Sequence, residues 1–246
     1  MSAETTVVDL SDATLRALNQ QLHHATAGAF RVINPRGAHA VASGINTDIQ
    51  VEVDGSLGYY AAGMHQRGTV RVNGNCGTGL AENIMSGTVH ITGNATMSAG
   101  ASGHGGLVVV EGNAGARCGI SMKGVDIVVG GNVGHMSAFM AQSGNLVVLG
   151  DAAADLGDSI YEAAVFVRGE VESLGSDCIE KELRPEHVET IERLLAASGL
   201  SASAADFRRY GSARELYNFH IDDIDAENSA AENTGAENNT AEGVRA

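Results

Sequence analysis

The sequence predicts an all-β protein, a parallel β-helix of about seven coils with short helices at its flanks. Three observations carry that reading. Glycine recurs at 55, 74, 93, 112, 131, 150 and 169, each 19 residues after the last without insertion or deletion. Aliphatic residues fill positions 1 and 3 of each unit, as in Val51 and Val53, Val70 and Val72, or Ile127 and Val129, so that the glycine is always position 5. No proline lies between Pro35 and Pro185, and 24 of the 32 glycines fall in residues 51–170, which marks that stretch as the repeat.

Side chains two apart share one face of a strand, so each unit opens on a short strand with one buried face. Glycine directly after it is expected to turn the chain with positive φ, which a Cβ makes costly. Nineteen residues leave no room for a helical crossover. A unit this small cannot bury its own apolar face, so the units must stack. At a strand spacing of about 4.8 Å, seven coils make a rod roughly 34 Å long, and equal positions lie above one another. Position 6 then reads Ser56, Asn75, Asn94, Asn113, Asn132, Asp151 and Glu170, and the four asparagines are expected to form a hydrogen-bonded ladder.

Residues 1–31 read as a cap. Val7–Leu10 is a strand, Ser11 an N-cap, and Leu15, Leu18 and Leu22 the buried stripe of a helix that Gly28 ends. Residues 32–175 are the solenoid. Its first coil, 32–50, is degenerate, with Val32 in phase with Val51 and Gly37 one place late. Residues 176–221 carry a second amphipathic helix, opened by Pro185, striped by Val188, Ile191, Leu194 and Leu195, and closed by Gly199. Both helices are expected to cover the open ends of the stack. The segment from Phe207 to Phe219 holds four aromatics among Arg208, Arg209 and Arg214, a composition typical of interfaces, although the same residues can pack back on the solenoid. Residues 222–246 repeat Ala-Glu-Asn every five residues and should form a disordered acidic tail.

Chemistry is scarce. A net charge of −15 argues against nucleic acid and anionic membranes as partners. No apolar run reaches the length of a membrane span and no signal peptide is evident, so a cytoplasmic location is expected. The three cysteines are an odd count, and Cys76 and Cys118 sit two coils apart at positions 7 and 11, which suits free buried thiols rather than a disulfide. A metal site on a solenoid needs ligands in one column or adjacent columns of neighbouring coils. His65, His90, His104 and His135 do not meet that condition, so no metal and no catalytic residue is expected. Glu82 and Asp158 share position 13 but lie four coils apart, roughly 19 Å, too far for a glycosidase pair. Stretches such as Gly74–Gly79 lack the following helix that a phosphate loop requires. Residues that interrupt the small-residue pattern are interface candidates: Tyr59, Tyr60, His65, His104 and His135, together with Phe207, Arg208, Arg209, Tyr210, Arg214, Tyr217 and Phe219. Glu82, Asn83, Met85, Met136, Phe139 and Met140 break the pattern too, and the methionines and Phe139 are expected to fill the rod's interior.

The coils Gly74-Asn-Cys-Gly77-Thr-Gly79, Gly112-Asn-Ala-Gly115 and Gly131-Asn-Val-Gly134 resemble the GXGXG domain, the right-handed β-helix of the glutamate synthase large chain. The C-terminal extension, with Leu183-Arg-Pro-Glu-His and Phe207–Phe219, resembles the free-standing form of that domain, the GlxC-like B subunit of N-methylglutamate synthase. The resemblance implies a non-catalytic scaffold in a hetero-oligomer. Its expected partners are a class II glutaminase-like subunit and a synthase subunit carrying FMN and an iron–sulfur cluster. The implied reaction of the complex is glutamate plus methylamine to N-methylglutamate plus ammonia. The β-helix subunit of a formylmethanofuran dehydrogenase, a molybdenum or tungsten enzyme, shares the coil motif and is the alternative.

Overall fold

The computed structural model describes residues 5–215. The chain divides into a unit of residues 1–213 and a second of residues 214–246, of which 214 and 215 alone are described. The repeat residues form β3 (Ile49–Asp54), β4 (Thr69–Asn73), β5 (Thr88–Ile91), β6 (Leu107–Val110), β7 (Lys123–Val129), β8 (Ser143–Val148) and β9 (Ala164–Val167). Each pairs in parallel with the next, one coil on, and Val51, Val70, Val89, Val108, Ile127, Leu146 and Val165 stand in one column. Positions 1 and 3 are buried throughout, as their alternation requires, and form a continuous bore. A second parallel column at position 7 runs from Leu57 through Cys76, Ala95, Ala114, Val133 and Ala152 to Val171. The protein is therefore the predicted β-solenoid of about seven coils.

The start of the solenoid differs from the sequence reading. Strand β2 (Gly28–Ile33) aligns Phe30 with Val51 and Val32 with Val53, so the first coil has 21 residues and begins before residue 32. Val32 thus occupies position 3, and Gly28 opens a strand instead of ending a helix. Ahead of it, β1 (Thr5–Asp9) adds a further parallel strand. Helix α1 (Leu15–His24) is capped by Thr14, whose Oγ1 accepts from Ala17 N at 3.2 Å, and Ser11 instead hydrogen-bonds to Asp9 in the preceding turn. Leu18 and Leu22 are fully buried against Val41, Ala42 and Ile45, so the helix covers the open end as expected. Asn19 does the work of a missing coil. Its amide donates to the carbonyl of Ala40 at 2.9 Å and its Oδ1 accepts from Ala42 N at 3.0 Å, satisfying backbone groups that would otherwise be bare.

The other flank closes differently. Helix α2 (Pro185–Ser198) begins at Pro185 and ends at Gly199 in the left-handed region, as predicted. It lies on the outer face of the sheet rather than over an end. There Ile191, Leu194 and Leu195 pack with Phe207 against Val128, Val147 and Phe166. The reason is position 2, which points outward: it reads Glu52, Arg71, His90 in the first three coils and then Val109, Val128, Val147, Phe166, all four buried. The end of the stack is closed by β11 (Arg208–Ser212), which pairs antiparallel with β9, and by β10 (Cys178–Lys181), antiparallel to β11.

Candidate interaction surface

The glycine column has a cause other than the one the sequence suggested. Of the seven, Gly55 alone has positive φ. The others are required because consecutive coils touch: a Cβ at Gly131 would lie 2.2 Å from Asn113 Oδ1 and 2.9 Å from the Gly112 carbonyl oxygen, and Gly93, Gly112, Gly150 and Gly169 face the same crowding. At Gly74 the obstruction is the backbone of Gly55 and Ser56.

Beside this column runs the predicted ladder, with a different donor. The side-chain oxygen of each residue accepts the backbone N–H of the residue one coil on: Asn75 from Asn94 at 2.8 Å, Asn94 from Asn113 at 2.8 Å, Asn113 from Asn132 at 2.8 Å and Asn132 from Asp151 at 2.9 Å. Ser56 and Asp151 extend it at either end. An acceptor oxygen is all the position requires, which explains why Ser and Asp can stand in for Asn.

Positive φ is concentrated on the far arc, with a further set at Gly68, Gly87, Gly106, Gly124 and Gly144 where the chain enters the next strand. At positions 10, 12 and 14 of six successive coils every residue is left-handed, from Tyr60, Ala62 and Met64 to Asp155, Gly157 and Ser159, and most are not glycine. They still pair between coils: Tyr60 N donates to Thr78 O at 2.8 Å and Met64 N to Glu82 O at 2.7 Å on the next coil, while Ala62 N donates to Val41 O at 2.9 Å on the preceding one. Each left-handed residue with a Cβ costs about 1 kcal/mol, so the stack holds a strained conformation that its hydrogen bonds and buried columns over-determine.

This arc carries most of the exposed apolar side chains among the described residues. Tyr59, Tyr60, Met64, Met85, Met97 and Met140 are all exposed there, while the other two large exposed hydrophobics, Val7 and Ile179, lie on the terminal strands β1 and β10. Met85 and Met140 therefore do not fill the interior, and Met136 and Phe139 are half-buried on the same arc. Tyr59 stacks on His39 at 4.6 Å between ring centroids and meets Tyr60 edge-on at 6.5 Å. Methionine and tyrosine offer large contact area with an adaptable or amphipathic tip.

The structure sorts the remaining interface candidates. His104 and His135 are exposed on the same arc. His65 is fully buried in a column with Ile84, Met122 and Ile160, its Nε2 3.1 Å from the Gly68 carbonyl and its Nδ1 without a partner, and burial holds its pKa below the usual histidine value. It is a core residue, since position 15 faces the bore. Phe207 and Tyr210 are 3% and 2% exposed, so they too belong to the core and not to an interface. Arg208 holds the Gly169 carbonyl at 2.8 Å and Arg209 the Glu182 carbonyl at 3.4 Å, ties that fix β11 in place. Arg214 is exposed, and Tyr217 and Phe219 lie outside the described residues, as does the acidic tail.

A polar cluster escaped the sequence reading. Arg71 Nη2 donates to Glu111 Oε1 at 3.3 Å, and His90 Nε2 lies 2.7 Å from the same oxygen and Nδ1 3.2 Å from Arg71 Nη1. Its signal was the charged start of the position 2 column. Cys76, Cys118 and Cys178 are buried and unlinked, and burial pushes each thiol up to about 12. Among the described residues no group of three or more His, Cys, Asp or Glu is placed to hold a metal ion, and no helix is long and apolar enough to cross a membrane.

Fold and surface together define a β-solenoid with one strongly apolar flank beside a crowded glycine corner. No protein-family model matches the chain. It is 58% identical over 225 residues to Protein GlxC of Rhizobium meliloti (strain 1021), which covers 89% of this chain and 99% of that protein. The chain belongs to the GlxC family.

Proposed function

We propose that the chain is a non-catalytic scaffold subunit of N-methylglutamate synthase or of a closely related glutamate-synthase-like complex in the cytoplasm. It holds a class II glutaminase-like subunit and an FMN-binding synthase subunit in register, and the complex converts glutamate and methylamine to N-methylglutamate and ammonia. The observation that supports this reading most is a solenoid whose coils are locked to one another by backbone pairing, with the half-buried Arg71, His90 and Glu111 cluster set on its sheet face. A rigid element with a charged face along its strands suits the positioning of other subunits. The flavin and iron–sulfur cluster belong on the synthase partner in this reading. The three cysteines of this chain do not fit a cluster, because each thiol is buried and held protonated.

Purification of the tagged chain from its native source tests the reading. A flavin-coloured complex containing a glutaminase-like chain is the expected result. A colourless preparation of this chain alone would overturn it, and a molybdopterin-containing partner would replace it with the dehydrogenase alternative.

A further inference from the structure

The apolar arc has a charge pattern that addresses a particular occupant. Of the chain's 30 acidic residues, Glu82 alone lies at positions 9–16 of the five coils from Val51 to Asn145. The same surface carries two bases, Arg117 and Lys123, and none of these three charges makes an ion pair or side-chain hydrogen bond with another described residue. Their placement is symmetric. Counting coils from Val51, Glu82 stands at position 13 of the second, and Arg117 and Lys123 at positions 10 and 16 of the fourth. The apolar groups are symmetric too, with Tyr59, Tyr60 and Met64 on the first coil and Phe139 and Met140 on the fifth.

We propose that this arc is the contact between two copies of the chain, related by a two-fold axis that passes through the third coil. That operation lays the first coil of one copy on the fifth of the other, the tyrosines against His135 and Met136 and Met64 against Phe139 and Met140. It also sets each Glu82 between Arg117 and Lys123 of the other copy. A two-fold interface must be self-complementary in this sense, because every residue pair occurs twice. The arc's shortage of acid is what allows two chains of charge −15 to approach. The inference does not depend on the scaffold reading and leaves the sheet face around Arg71, His90 and Glu111 for other chains.

Light scattering of the purified full chain should give twice 25.3 kDa at micromolar concentration. Glu82→Lys alone, or Arg117→Glu with Lys123→Glu, should weaken the dimer by at least about tenfold, the effect of a lost or reversed charge pair. Mixing the two variants restores attraction at both symmetric sites, so the mixture should dimerise where neither variant does, and circular dichroism will show both variants folded. A native monomer, a dimer indifferent to both variants, or a mixture that stays monomeric would each overturn the proposal. A native monomer whose variants lose a co-purified chain would overturn it in favour of that chain as the occupant.

Discussion

The two sides of each coil use glycine in opposite ways. At the strand corner, glycine is invariant across seven coils, yet φ is positive only at Gly55. On the far arc φ is positive at three positions of six successive coils, yet most residues there carry a Cβ. Space is what the corner lacks, since Gly131 touches both the backbone and the Asn113 oxygen of the coil before it. The arc has space but a costly dihedral, and a cost of about 1 kcal/mol is one that packing can offset. Overlap with a backbone atom cannot be relieved by a rotamer change, so the corner admits no exception.

Gly131→Ala should break the comparison most visibly. Its Cβ would overlap two fixed oxygens, and urea unfolding should show a loss of about 3 kcal/mol, the upper range for overpacking. The same test extends to Gly112→Ala at this corner, where a loss below about 1 kcal/mol would show that the coils can separate.

Gly119→Ala should cost only about 1 kcal/mol, the usual penalty for a Cβ in the left-handed region. Its nearest atoms are the ends of Ile127 and Met122 at 3.3 Å, and Ala138 already occupies the same position one coil on. Equal losses at Gly119 and Gly131 would erase the distinction between the two sides. Asn113→Ala should cost about 1 kcal/mol or slightly less, because the Asn132 N–H loses its acceptor at an exposed site. Asn113→Asp should retain most of that stability, as Asp151 does in the same column; the measurement is again the unfolding midpoint.

The smallest change at neutral pH concerns His65. Burial lowers its folded pKa, so as pH falls the unfolded chain takes up the proton first. Its contribution is present above about 6.5 and is lost as pH drops toward the folded value. His65→Met should unfold near the native midpoint at pH 7.5 and lose less stability than the native chain between pH 7.5 and 5.5. An unchanged pH dependence would show that the imidazole is not desolvated.

Much of this architecture was legible because a solenoid writes its columns into the sequence at a fixed period. The bore, the asparagine ladder, Leu18 and Leu22 of α1, and the limits of α2 all follow from phase and capping. What phase could not supply was the reason for a residue. Glycine signals positive φ and close approach alike, and only the neighbouring coil shows which applies at Gly131. The first coil was misphased because two added residues put Val32 opposite Val53. Phe207 and Tyr210 have the composition of an interface, but Phe207 packs with Val128 and Phe166 and Tyr210 lies opposite Val165, partners distant in sequence. The exposed arc was partly visible in Tyr59, Tyr60, His104 and His135, whereas Met64 and Met97 gave no sign, since methionine suits a core equally well.

A stack of parallel coils has no natural last member, because each new strand leaves an edge like the one it covered. Strand β11 ends that series by reversing direction. A following parallel coil would meet a hydrogen-bonding pattern of the wrong polarity, and the edge is finished by β10, four residues long with Glu180 and Lys181 along it. The reversal therefore acts as a counter: it sets the number of turns, hinders end-to-end growth into fibres, and gives anything bound along the flank a ruler of constant length.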